Sequence, residues 1–172
     1  RVGSGPHLAD DVTGVPALAD LPSLLDLADR AETDQATLAD LRRLVRAGSS
    51  LGGARPKAHV LDNHGRIAIA KFPSPTDTWN VMAWEKVALD LAAAAGITVP
   101  STRLLDVAGR GVLVVDRFDR TPTGERIGYV SAMTMLEAND GDQSSFLDLA
   151  EIVEQHSANA TQELLQLWRR AV

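Results

Sequence analysis

A lysine closes the alternating run 66-RIAIAKF-72, and a glutamate follows in 81-VMAWEKVALDL-91. In a strand, Ile67, Ile69 and Lys71 point to one face, so an apolar face ends in an ammonium. Burying that ammonium calls for a carboxylate or phosphate partner, because desolvating an unpaired charge is costly. Glu85 can supply the carboxylate. On a helix, Met82, Glu85 and Leu89 stand at i, i+3 and i+7, which sets the acid within an apolar stripe. The plainer alternatives are a lysine snorkelling out at a strand end and a solvated glutamate beside the wet Lys86.

The stretch 48-GSSLGGARPK-57 adds a second candidate. Gly52 and Gly53 remove side-chain bulk, so backbone N–H groups can approach a ligand and form an anion-binding nest. Arg55 and Lys57 add positive charge, and phosphate is the natural guest. The same composition also suits a simple helix-to-strand connector. No Gly-Lys-Ser/Thr follows at Walker A spacing, and the Gly-x-Gly-x-x-Gly pattern is absent. A third candidate is 112-VLVVDRF-118, an apolar strand that turns polar at Asp116. Such a strand can leave backbone groups free at a cleft edge for adenine, or it can be a core strand ending in an Asp–Arg surface pair.

These residues need a scaffold, and the hydrophobic periods describe one. Helical spacing runs through 21–31 and 34–47, with Gly48 expected as a left-handed stop. From 58 the period falls to two. Residues 58–61 and 66–72 flank 62-DNHG-65, a hairpin turn in which Gly65 can take positive φ. A helix is expected over 78–95, then paired strands at 103–107 and 111–118, the second covered on both faces. Residues 119–128 are polar turn, and helices follow over 131–138, 144–156 and 160–171. The order implies an α+β fold with a small antiparallel sheet. Three parts are expected: a helical lead-in over 1–47, a strand-bearing lobe over 48–130 that carries the candidate residues, and the start of a helical part over 131–172.

Composition narrows the function classes. The chain has 172 residues, a formal net charge of −6 and no cysteine. The acidic balance argues against direct nucleic-acid binding. The missing cysteines remove disulfides, thiolate metal sites and cysteine nucleophiles. No apolar run approaches the ~20 residues that span a bilayer, so the expected compartment is the cytoplasm. The chain starts at Arg1 and stops straight after 164-LLQLWRR-170, and the expectation is a piece of something longer.

Taken in order, 49-SSLGGARPKA-58, 68-AIAKFPS-74, 85-EKVALDLAAAAGITVP-100, 114-VVDRFDR-120, 131-SAMTML-136 and 140-DGD-142 resemble the HipA-type serine/threonine kinases, toxins of bacterial toxin–antitoxin pairs. The resemblance runs from about residue 45 to the C-terminus. It implies a protein-kinase-like N-terminal lobe, with one orienting helix and a helical C-terminal part. It also implies ATP as the nucleotide. Gly52, Gly53, Ala54, Arg55, Pro56 and Lys57 would belong to the loop over its phosphates, Lys71 would contact them, and Glu85 would orient Lys71. Asp116, Arg117 and Phe118 would form the hinge that holds adenine. Ser50 matches the autophosphorylated serine that switches such kinases off, with Ser49 one position away. The implied partners are a HipB-like helix-turn-helix antitoxin and a protein substrate with a target serine. DNA would be reached only through the antitoxin, and no membrane is involved.

The sequence departs from that pattern in two places. Arg55-Pro56 replaces a more neutral and acidic pair, a change expected to alter how the loop docks. No histidine opens a His-x-Asp motif with a later asparagine, so the catalytic loop and the Mg²⁺-binding aspartate are missing. The Mg²⁺ ligands are expected downstream of Val172, and this chain alone is expected to be inactive. Two other readings stand beside it: a non-catalytic, kinase-derived module that docks the antitoxin, and, more weakly, a small-molecule kinase such as an aminoglycoside phosphotransferase.

Overall fold

The computed structural model describes residues 14–48 and 55–172. The elements run α1 (Leu21–Glu32), α2 (Leu38–Gly48), β1 (Lys57–Leu61), β2 (Ile67–Lys71), α3 (Val81–Ala94), β3 (Thr102–Val107), β4 (Arg110–Asp116), α4 (Ala132–Met135), α5 (Phe146–His156) and α6 (Ala160–Ala171). The fold is α+β. All four strands form one antiparallel sheet in the order β1-β2-β4-β3. The two hairpins β1–β2 and β3–β4 are joined by α3, and β4 inserts beside β2 at the centre.

Alternation along the strands splits the sheet into two faces. One face carries Ala58, Val60, Ala68, Ala70, Val112 and Val114, all buried, and packs on Leu21, Leu24, Leu25, Leu27 and Ala28 of α1. The small alanines of β1 and β2 let the leucines of α1 approach the sheet closely. Polar contacts hold α1 in place: Arg110 donates to Asp29 and to the Pro73 carbonyl, and the Ser74 hydroxyl donates to Glu32. The segment before α1 runs along the open edge of β1, where the Leu61 N–H donates to the Pro16 carbonyl at 2.8 Å. That contact covers part of an edge that would otherwise invite pairing.

The opposite face carries His59, Ile67, Ile69, Lys71, Leu113 and Val115, as the cross-strand register requires. Helix α3 lies over β3 and β4 on this side, and Leu113 and Met82 are both fully buried. Asn80 starts α3 by accepting from the Ala83 N–H. The expected burial of 111–118 on both faces holds for Val112, Leu113 and Val114.

Gly65 takes φ of +75° in the β1–β2 turn, as its position suggested. Gly48 does not behave as expected. It remains helical instead of adopting a left-handed stop. What its lack of a side chain permits is a close approach: a Cβ there would lie 2.8 Å from the Lys57 carbonyl oxygen. Helix α2 also begins later than its periodicity implied, because Asp40 accepts from the Thr37 N–H and hydroxyl and fixes the start there. Among the described residues, no helix is long and apolar enough to cross a membrane.

Candidate functional site

Lys71 ends β2 and Glu85 sits one turn into α3, and the fold brings them into direct contact between Nζ and Oε1. Two features dictate the meeting. Lys71 shares a face with Ile69, and that face lies under α3, whose first turns project Glu85 back toward the end of β2. Each side chain is about a third exposed, at 31%. The pair is therefore neither sealed in the core nor splayed into water. An ammonium in this setting keeps donors available for a second acceptor, since a lysine carries three.

Toward β1 the same face is less covered. His59, Ile67, Ile69 and Val115 are all partly exposed, whereas Leu113 under α3 is fully buried. An apolar floor of Ile69 and Val115 thus adjoins the Lys71 ammonium. Such a floor suits a flat ring on one side and a charged group on the other.

Of the expected phosphate loop, Ser49, Ser50, Gly52, Gly53 and Ala54 fall outside the described residues. Arg55, Pro56 and Lys57 lie within them. Arg55 is clamped by Asp77 through two parallel hydrogen bonds of 2.8 Å, and Asp77 also accepts from the Ser74 N–H. The hydrogen bonds from Arg55 hold the Asp77 carboxyl below the usual carboxylate range. The Pro56 carbonyl accepts from the Phe72 N–H at 3.0 Å, continuing the β1–β2 ladder past its last paired residues. Arg55 thus has a structural partner, and it anchors the chain that leads into β1.

Asp116 ends β4 on the opposite face of the sheet, in line with Val114 and across from Ala68, and meets Arg103 at 3.4 Å. Phe118 is exposed and meets Tyr129 edge to face, with centroids 5.1 Å apart. Arg117 points its guanidinium to Asp119, with Nε 2.7 Å from Oδ1, and its remaining nitrogen to His59 Nε2. Sequence reasoning missed two buried acids here. Asp119 is 5% exposed and is gripped by both Arg117 and Arg120. The hydrogen bonds from Arg117 lower its pKa against the opposing effect of burial. Asp62 is 6% exposed at the start of the β1–β2 turn. Burial would raise its pKa, but donors from Arg66 and His64 outweigh burial and lower it.

A hollow of about 180 Å³ is lined by Asp62, Arg66, Ile67, Asp116, Arg117 and Arg120, beside the strand end expected to hold adenine. Another, of about 430 Å³, lies between α4 and the start of α5, with Met133, Leu136, Asp140, Asp142 and Phe146 among its lining. It includes none of the residues expected to contact nucleotide. Among the described residues no group of three or more His, Asp or Glu side chains is arranged to hold a metal ion.

No curated protein matches the chain. A family model does, that of the HipA-like C-terminal domain, over residues 49–172. That span contains the Lys71–Glu85 pair, all four strands and every residue of the candidate site, and the chain belongs to this family.

Proposed function

We propose that this chain is the ATP-binding portion of a HipA-like serine/threonine protein kinase. The observation that carries the reading is the Lys71–Glu85 contact at the border of a partly open apolar face. In phosphoryl transfer, a strand lysine held by a helix glutamate stabilises phosphate charge. Ile69 and Val115 supply the floor for adenine, and the backbone of Asp116–Phe118 supplies its edge. The loop 52–57 covers the phosphates, and Arg55 fixes the base of that loop through Asp77. ATP brings the transferable phosphoryl group, and Mg²⁺ is held by carboxylates that these residues do not include. The chain alone therefore binds nucleotide without turning it over. Its partners are a helix-turn-helix antitoxin and a protein with a target serine, and Ser50 is the regulatory phosphosite.

The test is binding of a fluorescent ATP analogue by the intact chain, compared with Lys71→Ala and Glu85→Gln. Lys71→Ala should weaken binding by about tenfold or more, equivalent to roughly 1.4 kcal/mol, while circular dichroism stays unchanged. No phosphotransfer above the Lys71→Ala background is expected with Mg²⁺ present. Equal binding by both forms would sink the assignment of Lys71.

One observation favours the second reading, a non-catalytic module that docks the antitoxin. Helix α3 exposes Trp84, Val87 and Leu91 at helical spacing, with Trp79 packed edge-on against Trp84. A folded chain that binds no nucleotide would shift the assignment to that module.

A further inference from the structure

His59 plays no part in the reading above, yet it lies on the same face as Lys71, cross-strand from Ile69. Its Nε2 lies within hydrogen-bonding distance of an Arg117 terminal nitrogen. Arginine only donates, so the imidazole must accept, which requires Nε2 unprotonated and the ring neutral. The rest of the Arg117 guanidinium is held by Asp119, which also takes Arg120 at 2.7 Å. Asp119 in turn accepts the Ile127 N–H through its backbone carbonyl. A chain of contacts thus runs from β1 through His59 and Arg117 to the segment after β4 and on to residues 126–129.

We infer that His59 is a positioning residue: its neutral imidazole ties Arg117, and with it the rim at Asp116–Phe118, to β1, and protonation releases that rim. This rests on the proposed nucleotide site for its functional consequence, though the tie itself does not. Protonation turns the acceptor into a donor and sets two cations against each other at contact distance. The charged groups around His59 make that state costly. Arg117 and Arg120 face it from the segment after β4, and Asp119 opposes them there. Arg126 and Tyr129 act on Arg117 from the next segment. On β2 the facing residue is Ile69, which carries no charge, and Asp116 is engaged with Arg103. Burial, then Arg117 and Arg120, hold the His59 pKa below its ordinary value of 6.5. Asp119 stays ionised through the same range, because Arg117 keeps its pKa low. On acidification His59 is therefore the first member of this cluster to change charge.

Two measurements test this. In the nucleotide-free protein, an NMR titration should give His59 a pKa below 6.5, and backbone amides of 117–120 should shift with the same midpoint. ATP-analogue affinity, followed from about pH 7.5 to about pH 5.5, should fall at least about threefold more in the wild type than in His59→Gln. The glutamine amide oxygen accepts from Arg117 but does not titrate. A His59 pKa at or above 6.5, or amides that ignore its titration, would overturn the tie. Parallel affinity profiles would overturn its role at the rim. A wild type that binds no nucleotide at any pH would remove the nucleotide reading and with it the rim's effect on affinity. The amide titration would still decide the tie on its own, and it needs no variant to fold.

Discussion

Asp62 follows β1 with its side chain 2% exposed. One of its oxygens accepts the His64 and Arg66 N–H groups, each at 2.8 Å. The other accepts two Arg66 guanidinium donors, at 2.9 and 2.8 Å. A single carboxylate thus shapes the β1–β2 turn and neutralises the cation beside it. Removing it leaves two backbone donors and an arginine without their acceptor, and hydrogen bonds to a charged group contribute about 1.5–3 kcal/mol. Asp62→Ala should lower the unfolding free energy by about 2 kcal/mol or more, read from urea midpoints. Asp62→Asn keeps an acceptor for the backbone and should lose less. A loss below about 0.5 kcal/mol for the alanine variant, the range of ordinary surface changes, would show that solvent satisfies those donors.

Helix α2 meets β1 through Gly48, and this contact sets two opposing effects against each other. Alanine in place of a helical glycine ordinarily stabilises by about 1 kcal/mol. Here the added Cβ would sit 2.8 Å from the Lys57 carbonyl oxygen, a backbone atom that cannot swing away. Overpacking of this kind costs about 1–3 kcal/mol, so the clash wins, and Gly48→Ala should lower the melting temperature. A rise in melting temperature would mean that α2 and β1 slide apart freely. The sequence marked the glycine as special but assigned it the wrong reason, because a close approach between distant elements leaves no local trace. The strands and helices themselves were legible, since their periods of 2 and 3.6 are local properties: β1, β2, α3 and β4 lie close to where alternation and apolar spacing put them. Lys71 and Glu85 could be paired for the same reason, each belonging to a well-marked element. Arg55–Asp77 and His59–Arg117 could not, because their partners sit in turns and strand ends whose meeting depends on the completed sheet. The buried state of Asp119 was hidden likewise, since 116-DRFDR-120 reads as an exposed charged turn until Arg117 and Arg120 fold onto one carboxylate.

At the scale of the whole molecule, the family match starts at residue 49, but the core does not. The leucines of α1 cover the alanine face of the sheet, so the sheet that bears Lys71 is backed by residues outside the matched span. The strands that reach the candidate site, β1, β2 and β4, share that core, and acid should therefore unsettle the site and the fold together. Two sets of groups decide how. His59 has a folded pKa below 6.5, so the unfolded chain takes up that proton first, and stability falls as pH drops below about 6.5. Asp62, Asp77 and Asp119 are held below the ordinary carboxylate value of 3.8. Their contribution is complete above that value and is lost as pH falls toward their folded pKa values. Asp40 and Asp148 shift the same way at helix starts, through hydrogen bonds from Thr37 and Ser145. The expected profile of urea midpoints is a plateau above about pH 7, a shallow decline below about 6.5, and a steeper one below about 4. The shallow step belongs to one imidazole and should vanish in His59→Gln, while the steep step survives. A midpoint that rises between about pH 7 and about pH 5 would contradict the sign of the His59 shift, and the arrangement of β1 against the segment after β4 would need another explanation.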